Sequence, residues 1–516
     1  MPPLPKEMAC AAIAHGIELT ESHRSQEERS PQNGSATSTL LSTPELDVAA
    51  PPLQLARLRR APAWGVTCNN IAFMAVPRSI PACFAATGWT IGLVCLVFSA
   101  VVTFDTGNIL GAVCTDHPSL TSFPLLVGEA CAARAARLGR DVKRWRAVGR
   151  TTTSVLQFLT YFLTGVAELI YFEQFFGQLF DTSPLCQWQW LLIVAAICLP
   201  AMQVPTFHDM RWAAVWLGIA PLVVNVAVFF YEVLLVRPWA CTPGPTFGEK
   251  DPQSVFLGVS AFAYAFGGHG LYPEEIREMA DPSQWGYVMQ LTYGVVIPLY
   301  FSVGLLGYAA YGDFAKSNIN LNFPHNLMNV VSLGLQLVQE VFFVLDSNLV
   351  LLLAIELRLG VDPSQSWSPR WHGVPPVVAR LLLRTGFLAV QVLVAQMLLS
   401  GEGDTLLSLQ ALIGAIGMNA FTYFIPYMLQ AELCTTPLPL WRKCWGGTNI
   451  LLGGAATLHL PDGLSNRSLL TRLFCVVVGS IADADWLVVV YGRPRASLAR
   501  IIRRGMQATL HIFSAI

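Results

Sequence analysis

Charge is what this sequence has least of. Of its 516 residues only 13% are Asp, Glu, Lys or Arg, about half the share of an ordinary soluble domain, while 53% are hydrophobic. A net charge of −1 points to neither nucleic acid nor acidic partners, and no nucleic-acid partner is expected. The 12 cysteines include no CxxC and no Cys/His cluster at metal spacing, so no metal site is expected. Most of them lie in apolar runs, where a thiol behaves as a small hydrophobe. No nucleophile–base arrangement, metal-ligand motif or phosphate loop supports an enzyme, and no cofactor is expected. Residues 1–60 are polar, contain proline and serine, and lack an apolar run. They are expected to be disordered and to carry no cleaved signal peptide.

What is present in abundance is apolar sequence. From Trp64 to Tyr491 runs of about 18 or more apolar residues recur, each long enough to cross a hydrocarbon core of about 30 Å. The expected spans are 65–86, 90–113, 151–172, 188–204, 212–236, 254–272, 286–311, 327–356, 376–399, 405–428 and 468–491. The fold class is therefore an all-α polytopic membrane protein of about eleven transmembrane helices. Three regions follow: a cytoplasmic segment over 1–62, a transmembrane domain over 63–492 and a basic tail over 493–516.

Lys and Arg are retained on the cytoplasmic side. Arg134, Arg137, Arg140, Lys143, Arg144, Arg146 and Arg150 lie between the second and third spans. Arg57, Arg59 and Arg60 precede the first, and Arg442 and Lys443 lie between the tenth and eleventh. A cytoplasmic N-terminus puts all of them on one side, although an eleventh crossing leaves the basic tail on the other. The same topology keeps the Asn466-Arg467-Ser468 sequon cytoplasmic. Cys186 and Cys241 fall in loops on the opposite face, either as a disulfide or as two unrelated thiols.

The stretch AFAYAFGGHGLYPEEI, Ala261 to Ile276, interrupts a span with three glycines, a histidine and a proline. In lipid an unwound backbone survives only where protein buries it or a polar cavity meets it. Carriers use such breaks to bind solutes and ions near the midplane. A glycine-lined helix contact or a helix end at the interface gives the same pattern, and spacing alone leaves these readings open.

FAYAFGGHGLYPEEIREMADPSQWGYVMQLTYGVVIPLYFSVGLLGYAAYGDFAKSNINLNF resembles the sixth and seventh spans of the amino acid/auxin permease family. LLSLQALIGAIGMNAFTYFIPYMLQAEL and CFAATGWTIGLVCLVFSAVVTFDTGNIL add weaker matches, so the similarity reaches from about residue 65 to 490. The resemblance implies a leucine-transporter-like 5+5 inverted repeat with broken helices 1 and 6. It also implies secondary transport of amino acids or related small carboxylates, usually driven by protons and sometimes by sodium, so proton coupling is expected, in a plasma membrane or an endomembrane such as the vacuole. The alternative is a transporter-like amino acid sensor without concentrative uptake. Partners are then the small-molecule substrate, the coupling ion and the lipid bilayer. The resemblance places substrate binding at Ala263, Tyr264, Phe266, Gly267, Gly268 and His269, and opposite them at Ala75. The family's Gly-x-Gly of the first span falls at Met74 to Val76, where this chain has no glycine. Pro77 and Pro81 remain to interrupt that helix.

Ionisable groups at membrane depth are costly and face a cavity or a partner. Tyr161, Thr164, Gly165 and Glu168 share one helical face, as do Gln336, Glu340 and Ser347, with Asp346 and Asn348 beside them. Glu168, Asp346 with Ser347, and His269 are candidates for ion coupling. The competing readings are a structural ion pair for the acids and a plain hydrogen-bonded histidine. Arg78, flanked by Pro77 and Pro81, must pair with a substrate carboxylate or with a resident acid such as Glu168 or Asp346, or else snorkel.

Overall fold

The computed structural model describes residues 61–180, 183–236, 245, 250–359, 361, 374–399, 405–434 and 438–458. Their regular structure is helical throughout, apart from one isolated bridge between Ala61 and Met279.

The first helix, α1 (Ala63–Met74), is followed by a single 3-10 turn (Pro77–Ser79) and by α2 (Ile80–Asp116). Taken as one rod, the 54 residues Ala63–Asp116 would extend about 80 Å, far more than a bilayer core of about 30 Å. The rod is divided at Gly88, whose φ of 74° is the left-handed region that a side chain resists. Two crossings result, with the boundary between the spans expected at 65–86 and 90–113. Next come α3 (Phe123–Arg137), α4 (Val142–Leu179) and α5 (Gln187–Ala201). The Asp141 carboxylate caps α4 by accepting from the Arg144 N–H at 3.2 Å.

The fifth span, α6 (Phe207–Val236), contains two π-helical stretches. The sixth is divided into α7 (Pro252–Ala265) and α8 (Tyr272–Glu278). Then follow α9 (Trp285–Tyr311), α10 (Leu327–Leu359), α11 (Pro376–Leu399), α12 (Leu406–Leu433) and α13 (Leu440–Leu458). Like α6, α12 carries two π-helical stretches.

Seven stretches of the described residues are long and apolar enough to cross a membrane. The sixth span is not among them because its halves, 14 and 7 residues long, are each too short to do so alone. The chain is an all-α polytopic membrane protein whose first and sixth spans are interrupted.

Burial separates the inner helices from the outer ones. In the most apolar window of α12, 94% of residues are buried, against 33% in α11. Small residues let α12 in: a Cβ on Gly414 would sit 1.9 Å from the Ser260 carbonyl oxygen of α7, so nothing larger fits there.

One expectation needs correction. The stretch holding Arg442 and Lys443, read as a connection, is the 19-residue helix α13. Arg442 Nη1 lies 2.7 and 2.8 Å from the Asp105 carboxylate oxygens, and the Tyr427 hydroxyl donates to the same carboxylate at 2.8 Å. Arg442 is therefore paired with an acid of α2. Arg134 and Arg137, counted with the basic connection, likewise pair with Glu432 of α12. The eleventh span at 468–491, Asn466, the basic tail, nearly all of the segment 1–62 and Cys241 lie outside the described residues. Cys186 is exposed at the start of α5.

Candidate functional site

The two interruptions lie side by side. Helix α1 ends at Met74, and Ala75 (φ −78°, ψ 68°) and Val76 (φ −113°, ψ 67°) leave helical geometry before the chain turns through Pro77–Ser79. Neither residue is a glycine; Pro77 and Pro81 remove the donors that would have continued the helix. In the sixth span α7 ends at Ala265 and α8 begins at Tyr272. A Cβ on Gly268 would lie 3.5 Å from the Phe73 ring and 3.7 Å from the Met74 side chain, so the breaks touch.

The glycines of the sixth break act through size. None of Gly267, Gly268 and Gly270 has a positive φ. A Cβ on Gly267 would meet Met418 at 2.6 Å, and one on Gly270 would meet the Tyr161 hydroxyl at 2.6 Å. The freed carbonyls are met by α4: Gln157 donates to Gly270 at 2.8 Å and Tyr161 to Gly268 at 3.5 Å. This is how an unwound segment is tolerated at membrane depth.

Tyr300 of α9 ties the breaks together. Its hydroxyl lies between the Met74 carbonyl, in a short contact, and the Ala265 carbonyl at 2.8 Å, and it accepts from the Val76 N–H at 3.4 Å. Those carbonyls close the C-terminal ends of α1 and α7, where partial negative charge accumulates. Phe266 packs edge-on against the Tyr300 ring at 4.9 Å. Sequence reasoning passed over Tyr300, because one tyrosine in an apolar span reads as packing.

Arg78 sits in the first break, 3% exposed. Its Nη2 donates to Glu168 Oε2 at 3.0 Å, while Nη1 donates to Gln336 Oε1 at 3.2 Å and makes a short contact with Glu340 Oε1. The guanidinium carbon stands 3.9 Å over the Tyr171 ring, a cation–π arrangement, and Gln410 holds the Tyr171 hydroxyl at 2.8 Å. Tyr264, in the last turn of α7, donates to Glu168 Oε1 at 2.9 Å. One face of α4 thus serves both breaks, with Gln157 and Tyr161 on the sixth and Glu168 and Tyr171 on the first.

Of the anticipated substrate residues, Ala75, Arg78, Phe266, Gly267, Gly268 and His269 are buried, and Ala263 and Tyr264 are partly exposed. His269 Nε2 lies 2.8 Å from the Thr103 carbonyl of α2 and its ring packs on Tyr272. It makes no hydrogen bond or ion pair with the Arg78 cluster among the described residues. Resident acids pair with Arg78, as one reading anticipated, but they are Glu168 and Glu340 and do not include Asp346. Helical rotation gives the reason: Gln336 and Glu340 are one turn apart, and Asp346, six residues on, points well away from both. Both Asp346 carboxylate oxygens and the Ser347 hydroxyl are buried without a hydrogen-bond partner among the described residues. Asp346 lies instead within electrostatic range of Glu275 and Tyr161. A cavity of about 30 Å³, room for one or two waters, adjoins the cluster. Arg78, Gln336, Gln339, Ser332, Asn320 and Asn225 form its polar lining.

Two interrupted spans thus meet at a buried charged cluster. The chain belongs to the transmembrane amino acid transporter protein family, whose model matches residues 75–456. It is similar to amino acid transporter AVT1B of Arabidopsis thaliana, 22% identical over 258 residues, 48% of this chain and 44% of that protein. The vesicular inhibitory amino acid transporter of Mus musculus is 24% identical over 279 residues, 53% of this chain and 50% of that one. The chain spans about half the length of these curated relatives. Among solved structures, MhsT in complex with L-phenylalanine aligns with a TM-score of 0.47 and 13% identity, over 83% of this chain and 98% of that one. The Eremococcus coleocola manganese transporter, in complex with an aromatic bis-isothiourea substituted compound, aligns with a TM-score of 0.48 and 14% identity, over 86% and 94%.

Proposed function

We propose that this chain is a secondary active transporter of amino acids or related small carboxylates, driven by protons. Family membership and the names of the relatives support the amino acid. The observation that carries the reading is the pairing of the breaks at Ala75–Ser79 and Phe266–Leu271, with Arg78 in the first. A substrate between them meets the ends of α1 and α7, whose carbonyls suit an ammonium group. Ala263, Tyr264, Gly267 and Gly268 give the sixth-span wall, with Ala75 opposite.

Arg78 supplies the carboxylate contact. In a glycine-lined break, bare N–H groups at a helix start can hold the anion; with Ala75, Val76 and Pro77 in place, that approach is closed by side chains and a missing donor. A guanidinium can hold a carboxylate through two parallel hydrogen bonds. Protons are favoured as the driving ion because Glu168, Glu340, Asp346 and His269 are titratable and buried.

Reconstitution tests the proposal. Proteoliposomes carrying the full chain are offered a panel of labelled amino acids under an imposed pH gradient or an imposed sodium gradient. Accumulation above equilibrium with the pH gradient is the expected result. Accumulation driven by sodium at constant pH, indifferent to protons, overturns the choice of ion. Binding without accumulation of any panel member favours the sensor.

A further inference from the structure

We propose that Glu340 couples the proton to the substrate: a proton on its carboxyl frees the arm of Arg78 that the substrate carboxylate then takes. The inference rests on the reading of Arg78 as carboxylate anchor and adds the residue that makes anchoring depend on protons.

The two acids are held unequally. Glu168 is fixed at both oxygens, Oε2 by Arg78 Nη2 and Oε1 by the Tyr264 hydroxyl. Glu340 is held by Arg78 through Oε1 alone; its buried Oε2 has no hydrogen-bond donor among the described residues, and its carboxyl lies beside that of Glu168. Glu168 is the standing partner of Arg78, and Glu340 is the exchangeable one. Gln336, one turn away on the same helix, touches the same Nη1; being neutral, it retains a hydrogen bond to that arm after Glu340 is neutralised.

Charge counting supplies the coupling. At rest one guanidinium faces two carboxylates, with both acids and the arginine almost wholly buried. With a substrate ammonium lying apart at the ends of α1 and α7, an incoming carboxylate would put three anions around one cation and raise the uncompensated charge of this buried cluster from one to two. One proton bound at Glu340 Oε2 restores the resting balance: Glu340 becomes neutral, its ion pair with Nη1 is lost, and the substrate carboxylate accepts from Nη1 instead. Return of the proton to water on the far side restores the Glu340–Arg78 pair, which displaces the substrate. The polar cavity reaches Arg78 and Gln336, the neighbours of Glu340, from residues 319–332, and is the side from which a proton would arrive.

The surroundings leave few rivals. Ionisable groups near Glu340 are Arg78, Glu168 and Tyr171 beside the guanidinium, Tyr264 on Glu168, and Cys198 of α5. From α6, residues 214–231 pack on α10 and contain no Asp, Glu, His, Lys or Arg. From α9, Tyr300 is the ionisable group near Arg78.

The test uses purified full-length protein and the panel amino acid that wild type accumulates most. Binding to wild type in weakly buffered detergent solution, followed with a pH indicator, should take up one proton per substrate. Its affinity should fall tenfold per pH unit above the titration point, as one linked proton requires. Glu340→Gln should bind without proton uptake, show an affinity that no longer varies with pH, and lose at least tenfold in pH-driven accumulation. Glu340→Asp should restore the pH dependence. Proton-free binding by wild type overturns the inference whether or not E340Q folds. So does an E340Q that keeps the wild-type pH dependence, and in that case transport itself stands. A wild type that accumulates no panel member removes both the transport reading and this inference.

Discussion

The first and sixth spans are interrupted at neighbouring places by different means. The sixth opens at glycines that are needed for closeness to Met418 and Tyr161, and its freed carbonyls are met by neutral side chains of α4. The first opens at prolines, has no glycine, and carries a guanidinium held by two acids. The glycine break serves close packing and the proline break carries a charge, so on the proposed reading the carboxylate is recognised by a side chain. The account therefore divides the labour, with shape from the sixth break and charge from the first.

The largest effect should come from Arg78→Leu. It leaves Glu168 and Glu340 buried and facing each other, at a cost of about 3–5 kcal/mol. Uptake should vanish and thermal stability should fall, both measurable on detergent-solubilised and reconstituted protein. A stable, active R78L would mean that charge does no work in the first break. Gly267→Leu attacks the other side of the comparison. Overpacking against Met418 should cost about 1–3 kcal/mol and weaken substrate affinity, and the pH dependence of uptake should survive; loss of that dependence would merge the two roles. Tyr300→Phe removes the hydroxyl shared by both breaks. Leaving buried carbonyls short of a donor costs about 1–3 kcal/mol, and denaturation with and without substrate should show destabilisation in both states. The smallest effect is expected from Pro77→Ala, within about 1 kcal/mol, because the guanidinium network still holds the turn. Abolished uptake in P77A would show that the proline, more than Arg78, sets this break.

The sixth break was legible in the sequence, because Gly267, Gly268, His269, Gly270 and Pro273 crowd into one span and lipid tolerates no unpaired backbone. Arg78 was legible for a related reason: a charge at that depth demands a partner. Its partners were only half legible. Glu168 lies on the face that α4 turns to the breaks, but choosing between Glu340 and Asp346 needed the rotation of α10, and spacing within one helix does not say which face meets a neighbour. Tyr300 escaped because its role depends on two main-chain carbonyls from distant segments. Helix α13 escaped because Arg442 lowers the apparent hydropathy of a segment whose charge Asp105 neutralises in space. His269 was read from its chemistry, and the structure shows a ring hydrogen-bonded to the Thr103 carbonyl.

The division between charge and shape is tested most directly by competition. Uptake of the best labelled amino acid is measured against the same unlabelled amino acid and against its carboxyl amide, in wild type, Arg78→Lys and Arg78→Gln. The account predicts that wild type prefers the carboxylate by at least about tenfold, the worth of one charge-assisted hydrogen bond. It predicts that R78Q treats acid and amide alike and that R78K falls between them. Wild-type affinity and an intact preference in both variants would contradict it, and the carboxylate would then have to be held elsewhere.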